Sequence, residues 1–325
     1  MSSRENIVRV LQQNAHVLLA VFYHQSITKA ADELGRSQGA VSQVLKHVED
    51  VLEVELFDRG TRPWQLTPMG LALFQDLRQT QARLSETVHN LRRNNNLPNV
   101  VRIGVIESVN RVIGSDLILE SLKVFRRVVA ISSPSDMLLT ELKRGTVDWI
   151  IVSNAYPNEP NLIRRRLFTE KNALIYPAEV IPRPVVRVED LMFSGLPVIR
   201  TPLHASAGAL IEGLYTSSAG IFANRCEVES IDTLIKLVAG GHGWTIQQPI
   251  CALACPEVAS KLKITTCAGA LGARDVYLIG RSGLALGVFE SVATVILELV
   301  KTKIVEALKK YFPEVSTAIS CWANS

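Results

Sequence analysis

The N-terminal fold is decided by one stretch, SITKAADELGRSQGAVSQVLK, which runs from Ser26 to Lys46. Its apolar spacing predicts two short helices, with Gly35 breaking the pattern between them and Ser37 capping the second. Two short helices that meet through small residues such as Ala30 and Ala31 can cross steeply, which lets the second enter the major groove of DNA. The spacing alone fits an ordinary helical hairpin equally well.

The residues that follow favour a DNA-binding module. Residues 56–66, LFDRGTRPWQL, predict two short strands around a turn, a wing that would carry Arg59 and Arg62 to DNA phosphates. Thr67 and Pro68 then predict the start of another helix, because threonine caps a helix and proline needs no amide donor at the first position.

These elements together resemble the LysR-type transcriptional regulators. The matching positions are Ala30-Ala31, Leu34, Ser37-Gln38-x-Ala40-Val41-Ser42, Glu49, Leu56-Phe57-x-Arg59 and Leu66-Thr67-x-x-Gly70. The resemblance covers roughly residues 15–300. It implies an N-terminal winged helix-turn-helix plus a linker helix, then a two-lobed α/β effector domain like the type II periplasmic-binding fold. It also implies a homodimer or homotetramer on double-stranded operator DNA, modulated by a small-molecule effector between the lobes, with RNA polymerase as a further candidate partner.

A long helix is predicted from Pro68 to about Arg93, ending at a polar tract closed by Pro98. Its apolar positions alternate at three and four, the seam of a two-stranded coiled coil, with one glutamine as a polar interruption. The seam residues are Phe74, Leu77, Gln81, Leu84, Val88 and Leu91. The alternative is an amphipathic helix packed on its own domain; the family resemblance implies the dimer.

Beyond residue 98, strands and helices alternate, which predicts a parallel sheet covered by helices on both faces. Two local patterns resemble the lobe signatures of the family, Leu142-x-x-Gly145-x-x-Asp148 and the run from Ser230 to Gly243. The predicted divisions are a winged helix-turn-helix domain over 1–67, a dimerising linker helix over 68–96, an effector-binding domain over 97–313 and a tail over 314–325. Within the effector domain, lobe I is predicted over about 99–176 and 270–313 and lobe II over about 177–269.

Candidate DNA contacts lie on and beside the second helix. Gln38, Ser42 and Gln43 are placed to reach base edges. The remaining candidates more often hold phosphates, which set register without carrying sequence information, and they are Lys29, Ser37, Lys46, Arg59 and Arg62. Gly39 stands where the family commonly has proline, and Gln43 where it commonly has arginine, so the half-site preference is expected to differ.

Candidate effector contacts lie at the carboxyl ends of strands, where ligands bind in open α/β sheets. Ser108 opens a helix after the first strand, and Arg200 would supply a cation. The full set is Ser108, Asn154, Arg200, Thr201 and Gln247. Each of these is equally well read as a surface loop residue. The combination of Ser108 with Arg200 predicts a small anionic ligand and no other cofactor.

Composition narrows the function classes. Residues 1–96 hold eleven Lys and Arg against ten Asp and Glu, so DNA binding must come from placed groups rather than from net charge. Five cysteines without regular spacing, and no segment resembling a membrane span or a complete signal peptide, predict a cytoplasmic protein without membrane contact.

Enzyme readings find little support in the sequence. Walker-type and His-Glu-x-x-His motifs are absent, which argues against an enzyme. Cys251 and Cys255 near His242 suggest metal or redox sensing, but their spacing matches no common zinc pattern, and inert thiols are the preferred interpretation. The rival function is a solute-binding or enzyme-like module with an incidental helical extension.

Overall fold

The computed structural model describes residues 3–61, 63–92, 100–181, 185, 187–202, 224–267, 271–282 and 286–322. The chain divides into two compact units, residues 1–96 and 97–325. In the described part, no helix is long and apolar enough to cross a membrane.

The N-terminal unit is a helix-turn-helix followed by a two-stranded wing and a long helix. Its elements are α1 Ser3–His24, α2 Ile27–Leu34, α3 Gln38–Leu52, β1 Phe57–Asp58, β2 Gln65–Leu66 and α4 Pro68–Arg92. The Ser37 hydroxyl accepts a hydrogen bond from the Ala40 amide and so caps α3, as the sequence predicts. Gly35 lies between α2 and α3 with a φ of +62°, a left-handed conformation that glycine adopts without strain.

A single apolar core holds the N-terminal unit together. Ala30, Ala31, Val41 and Leu45 are buried between α1, α2 and α3, so small residues do form the helix contact. The start of α4 lies against the wing, where a Cβ at Gly70 would be 2.0 Å from the carbonyl oxygen of Leu56. Glycine is therefore required at this point by the close approach of two backbones.

The second unit contains a six-stranded sheet and a smaller group of strands. The six-stranded sheet has the order β13-β6-β12-β5-β3-β4. Its strands are β3 Val100–Val105, β4 Arg127–Ser132, β5 Trp149–Val152, β6 Leu162–Lys171, β12 Ala273–Arg281 and β13 Ile319–Cys321. The helices α5 Glu107–Leu122 and α6 Ser135–Arg144 follow β3 and β4, and the chain returns to helix at α10 Leu286–Leu299, a π-helical segment Val300–Val305 and α11 Glu306–Tyr311.

The second lobe is built on a three-stranded antiparallel sheet, β10-β7-β11, with a parallel pair, β8 and β9, beside it. Its strands are β7 Ala173–Pro177, β8 Val198–Arg200, β9 Asn224–Glu227, β10 Thr245–Gln247 and β11 Leu262–Thr265. Its helices are α7 Val188–Met192, α8 Ile231–Ala239 and α9 Pro249–Ala252, with 3-10 turns at Pro256–Lys261 and, nearer the C-terminus, Pro313–Val315.

Three features differ from the sequence expectations. Only β3, β4 and β5 are parallel, because β12, β6 and β13 run antiparallel to their neighbours, so the predicted all-parallel sheet is wrong. The chain passes to the second sheet at Asn172 rather than near residue 176, because β7, which begins at Ala173, pairs with β10 and β11 of that sheet. The predicted tail contains β13, and Trp322 beyond it donates a hydrogen bond to Thr169 Oγ1 at 2.8 Å.

Candidate functional site

The outward face of α3 carries the side chains expected to read DNA. Gln38, Ser42, Gln43 and Lys46 are all exposed, while Val41 and Leu45 on the opposite face are buried. Because the buried face fixes the helix in the core, the exposed side chains are presented on a rigid element. The structure therefore places these four residues together on one surface.

Two further DNA candidates already have a structural role. Ser37 caps α3, as described above, and Arg59 donates a hydrogen bond to Glu49 Oε2 at 2.5 Å and lies over the ring of Trp64. The other oxygen of Glu49 accepts from the Leu56 amide at 2.8 Å, so this buried carboxylate ties the wing to α3. Lys29 is exposed near the start of α2, and Arg62 lies outside the described residues.

The long helix α4 has two different halves. Phe74 packs edge-on against Phe22 and Tyr23, and Leu77 lies against the same core, so this end of the predicted seam is used within the unit. Further along, Leu84 and Val88 are 64% and 41% exposed, and Gln81 is also exposed. The alternative of a helix packed on its own domain thus fits only the first half. The side chain of Leu91 lies outside the described residues.

In the second unit, a cavity of about 1060 Å³ is lined by residues from both lobes. Four of the five predicted effector contacts line it, although they are widely separated in sequence: Ser108, Asn154, Thr201 and Gln247. Arg200 is not among the described residues around this cavity. It lies opposite Glu227 in the β8–β9 pair, and because successive side chains of a strand point to opposite faces, Thr201 reaches the cavity instead.

A buried ion pair between Arg274 and Glu170 lies next to Ser108. The Arg274 guanidinium donates to Ser108 Oγ at 2.9 Å and lies 3.1 Å from Glu170 Oε2, and Glu170 is fully buried. Burial raises the pKa of Glu170, while the Arg274 charge and the Ile250 amide act in the opposite direction. Since Ser108 Oγ accepts from Arg274, its own hydroxyl proton is available to an acceptor elsewhere. Sequence reasoning missed Arg274, whose only signal is a charge at the start of an apolar strand.

The opposite wall repeats this arrangement with neutral groups. Gln247 Nε2 donates to Thr201 Oγ1 at 3.2 Å, and both residues are buried. Thr201 therefore also keeps a free proton on its hydroxyl. Next to it, Gln248 donates to Asn172 Oδ1 at 2.7 Å, which fixes the residue at the crossover between the two sheets. Within the described residues, neither Ser108 nor Thr201 donates its hydroxyl proton to a protein acceptor.

A strained loop after β5 completes the wall. Asn154 Oδ1 accepts from the Tyr156 amide at 3.0 Å, and Tyr156 has a φ of +48°. The Tyr156 hydroxyl donates to Asp136 Oδ1 at 2.6 Å; burial and the Asp136 carboxylate raise the pKa of this phenol. Arg164 holds the loop by donating to the backbone carbonyls of Ala155, Tyr156, Glu159 and Leu162.

Cys251 and Cys255, both free thiols, are weak candidates for redox or metal chemistry. Burial raises the pKa of the Cys251 thiol to about 12 and that of the Cys255 thiol to about 11. Because the thiolate is the reactive form, both groups are expected to be inert at neutral pH. No group of three or more His, Cys, Asp and Glu side chains in the described ranges is placed to hold a metal ion.

Comparison with known proteins accounts for both units. Residues 13–71 match the family described as bacterial regulatory helix-turn-helix protein, lysR family, and residues 95–294 match the LysR substrate binding domain. The chain is 24% identical over 236 residues to the HTH-type transcriptional regulator SoxR of Arthrobacter sp. (strain TE1826), covering 72% of this chain and 78% of that protein. It is 32% identical over 91 residues to the HTH-type transcriptional regulator BenM of Acinetobacter baylyi, or 28% of this chain and 30% of BenM.

Solved structures share the fold at lower identity. Full-length CbnR in complex with its target DNA is 17% identical with a TM-score of 0.56, covering 92% of this chain and 99% of that one. Full-length BenM is 19% identical with a TM-score of 0.51, over 93% of this chain and 97% of the other.

Proposed function

The chain belongs to the LysR family of bacterial helix-turn-helix regulators, and from this premise we propose how its residues bind DNA and effector. The protein is a DNA-binding transcriptional regulator with an effector-binding domain. Gln38, Ser42 and Gln43 read base edges in the major groove, while Lys29, Ser37, Lys46, Arg59 and Arg62 hold the backbone. The observation that carries this assignment is the exposed polar face of α3 above a fully buried apolar one.

The cavity takes a small effector whose acceptor group, an anion such as a carboxylate, meets the hydroxyls of Ser108 and Thr201. Gln247 orients Thr201, Asn154 shapes the neighbouring loop, and Arg200 stays outside this contact set. Binding shifts promoter contacts only through different affinities for two arrangements of the protein. We propose that the cavity binds and releases its ligand unchanged, without catalytic activity, and that the protein acts in the cytoplasm.

Two copies of the chain pair through the second half of α4. The exposed Leu84 and Val88, with Gln81 between the two halves, form the unpartnered part of the predicted seam. A homodimer places two recognition helices on one operator, and pairing of dimers gives a tetramer. Sedimentation of the full-length protein as a monomer at micromolar concentration would contradict this assignment.

The DNA assignment is tested by fluorescence anisotropy with the full-length protein and a pool of mixed-sequence duplexes. We expect binding that weakens steeply as salt rises, because phosphate contacts release counterions. Lys46→Ala should lower the slope of log affinity against log salt by about 1, the value for one lost phosphate contact.

The matched control is Lys123→Ala, which removes an exposed lysine at the C-cap of α5 and should leave the slope unchanged. Absence of binding at low salt would overturn the assignment and favour the solute-binding alternative.

A further inference from the structure

The charges around the cavity are not those expected for a purely anionic ligand. Among the described lining residues, three are carboxylates and two are guanidiniums: Glu107, Asp136, Glu229, Arg111 and Arg274. Both arginines already face carboxylates, since Arg111 lies 2.6 Å from Asp232 and 3.6 Å from Glu107, and Arg274 is paired with Glu170. A cleft lined by an excess of one charge attracts the opposite charge.

The helix starts at the cavity carry their own compensating charges. The first turns of α5, α6 and α8 contain Glu107, Asp136 and Asp232 respectively. A carboxylate in the first turn offsets the partial positive charge of the helix N-terminus. The helix dipoles therefore do not provide a strong attraction for a second anion, and the donors left for a ligand acceptor are the neutral hydroxyls of Ser108 and Thr201.

The donors and the carboxylates lie at different depths. Ser108 and Thr201 are 4% and 6% exposed, whereas Asp136 and Glu229 are exposed to solvent. Asp136 uses Oδ1 to accept from Tyr156, and Oδ2 makes no hydrogen bond with any residue that the structure describes. The cavity thus offers hydrogen-bond donors inside and an oriented carboxylate near its mouth.

From this arrangement we propose that the effector is a small zwitterion that carries both a carboxylate and an ammonium group. Its carboxylate lies inward against Ser108 and Thr201, and its ammonium group binds Asp136 Oδ2 at the mouth. This inference rests on the proposed function of the cavity and specifies its ligand class. The Tyr156 hydroxyl bond, held by the Arg164-braced loop, fixes the carboxylate for that contact.

The test is calorimetric titration of the full-length protein with a panel of α- and ω-amino acids. Each binder is compared with the acid that lacks the amino group and the amine that lacks the carboxyl group, for example leucine, 4-methylpentanoate and 3-methylbutylamine. We expect at least one amino acid to bind more tightly than its matched acid, by up to about fivefold, because an exposed ion pair supplies at most about 1 kcal/mol. High salt should reduce this preference.

Variants separate the charge from the shape of the site. Asp136→Asn keeps the size and an acceptor for Tyr156 but removes the charge, so the preference for the amino acid over its matched acid should disappear. Tyr156→Phe keeps the charge but removes the hydrogen bond that fixes the carboxylate, so the preference should fall without disappearing. Glu120→Gln, which neutralises an exposed carboxylate on α5 outside the cavity, should preserve the wild-type ratio.

The inference is overturned if no amino acid of the panel binds, if matched acids bind as tightly as the amino acids, or if Asp136→Asn keeps the wild-type ratio. These outcomes differ from a failure of the proposed function. If a simple carboxylic acid binds and alters DNA affinity, the effector role of the cavity stands and only the zwitterion is refuted. If the protein does not bind DNA in the anisotropy titration, which contains no effector, the proposed function itself fails.

Discussion

The exposed face of α3, for which we propose DNA recognition, and the cavity of the second unit place their polar side chains in opposite surroundings. Gln38, Ser42 and Gln43 are exposed and rest on an apolar core, while Ser108 and Thr201 are buried and hydrogen-bonded to other side chains. The DNA face is therefore an addition to a fold that is stable without it. The cavity lining is part of the fold, because each buried polar group there needs its partner.

The buried Glu170–Arg274 pair should give the largest effect on stability. Glu170→Ala leaves the Arg274 charge buried without its partner, which costs about 3–5 kcal/mol. Urea unfolding of the full-length protein, with hydrogen exchange assigning the loss to the second unit, measures this cost.

The control is Glu306→Ala, which breaks an exposed Glu306–Lys309 pair and should cost less than about 1 kcal/mol. The double variant Glu170→Ala/Arg274→Ala should recover part of the lost stability, since it removes the unpaired charge. Equal costs for the buried and exposed pairs would contradict the contrast between the two regions.

An intermediate effect is expected beneath the DNA face. Gly70→Ala places a Cβ 2.0 Å from the Leu56 carbonyl oxygen, which forces the start of α4 away from the wing. Overpacking of this kind costs about 1–3 kcal/mol, and hydrogen exchange should assign the loss to residues 1–92. Gly39→Ala, at a glycine with nothing within 4 Å of the added Cβ, is the matched control and should not destabilise the unit. If Gly70→Ala were as stable as the wild type, the backbone of the wing would have moved to accommodate the added Cβ, and glycine would not be required at this position.

The smallest change in stability is expected on the recognition face itself. Gln43→Ala should alter the free energy of unfolding by no more than about 0.5 kcal/mol, because the side chain is exposed. On a selected operator the same change should lower discrimination at one base pair by about 1–3 kcal/mol. Selection of bound fragments followed by competition anisotropy measures this. If Gln43→Ala lowered the stability of the protein and left base-pair discrimination unchanged, the side chain would serve the fold rather than DNA recognition, and the contrast with the cavity would be contradicted.

The N-terminal unit was largely predictable because its signals are local. Ser37 accepts from an amide three residues away, Gly35 supplies the left-handed turn, and Gly70 follows a cap at Thr67. The same holds for α8, where Ser230 caps the helix at the amide of Thr233. Caps and turns of this kind act within one helical turn, so the sequence alone carries them. The role of Arg59 was less predictable, since its partner Glu49 lies ten residues away on α3.

The cavity was only partly predictable from the sequence. Ser108, Asn154, Thr201 and Gln247 were identified because they follow apolar strands, and the structure brings all four to one cavity. Arg200 is not among the described residues that line this cavity, because its side chain and that of Thr201 point to opposite faces of the strand. The sequence carries no signal for the roles of Arg274 at the start of β12, Asp136 in the first turn of α6 or Tyr156 in the loop after β5, because what a charged or aromatic side chain does depends on neighbours that are distant in sequence.

The sequence by itself determined the two units, the winged helix-turn-helix and the order of strands and helices, because periodicity, caps and turns are set by neighbouring residues. Only the tertiary structure decided which polar groups meet. Arg274 reaches Ser108 across 166 residues and Gln248 reaches Asn172 across 76. The antiparallel return of β12 between β5 and β6 creates the first contact, and the antiparallel pairing of β10 with β7 creates the second. Strand direction is a property of the whole sheet rather than of any one segment.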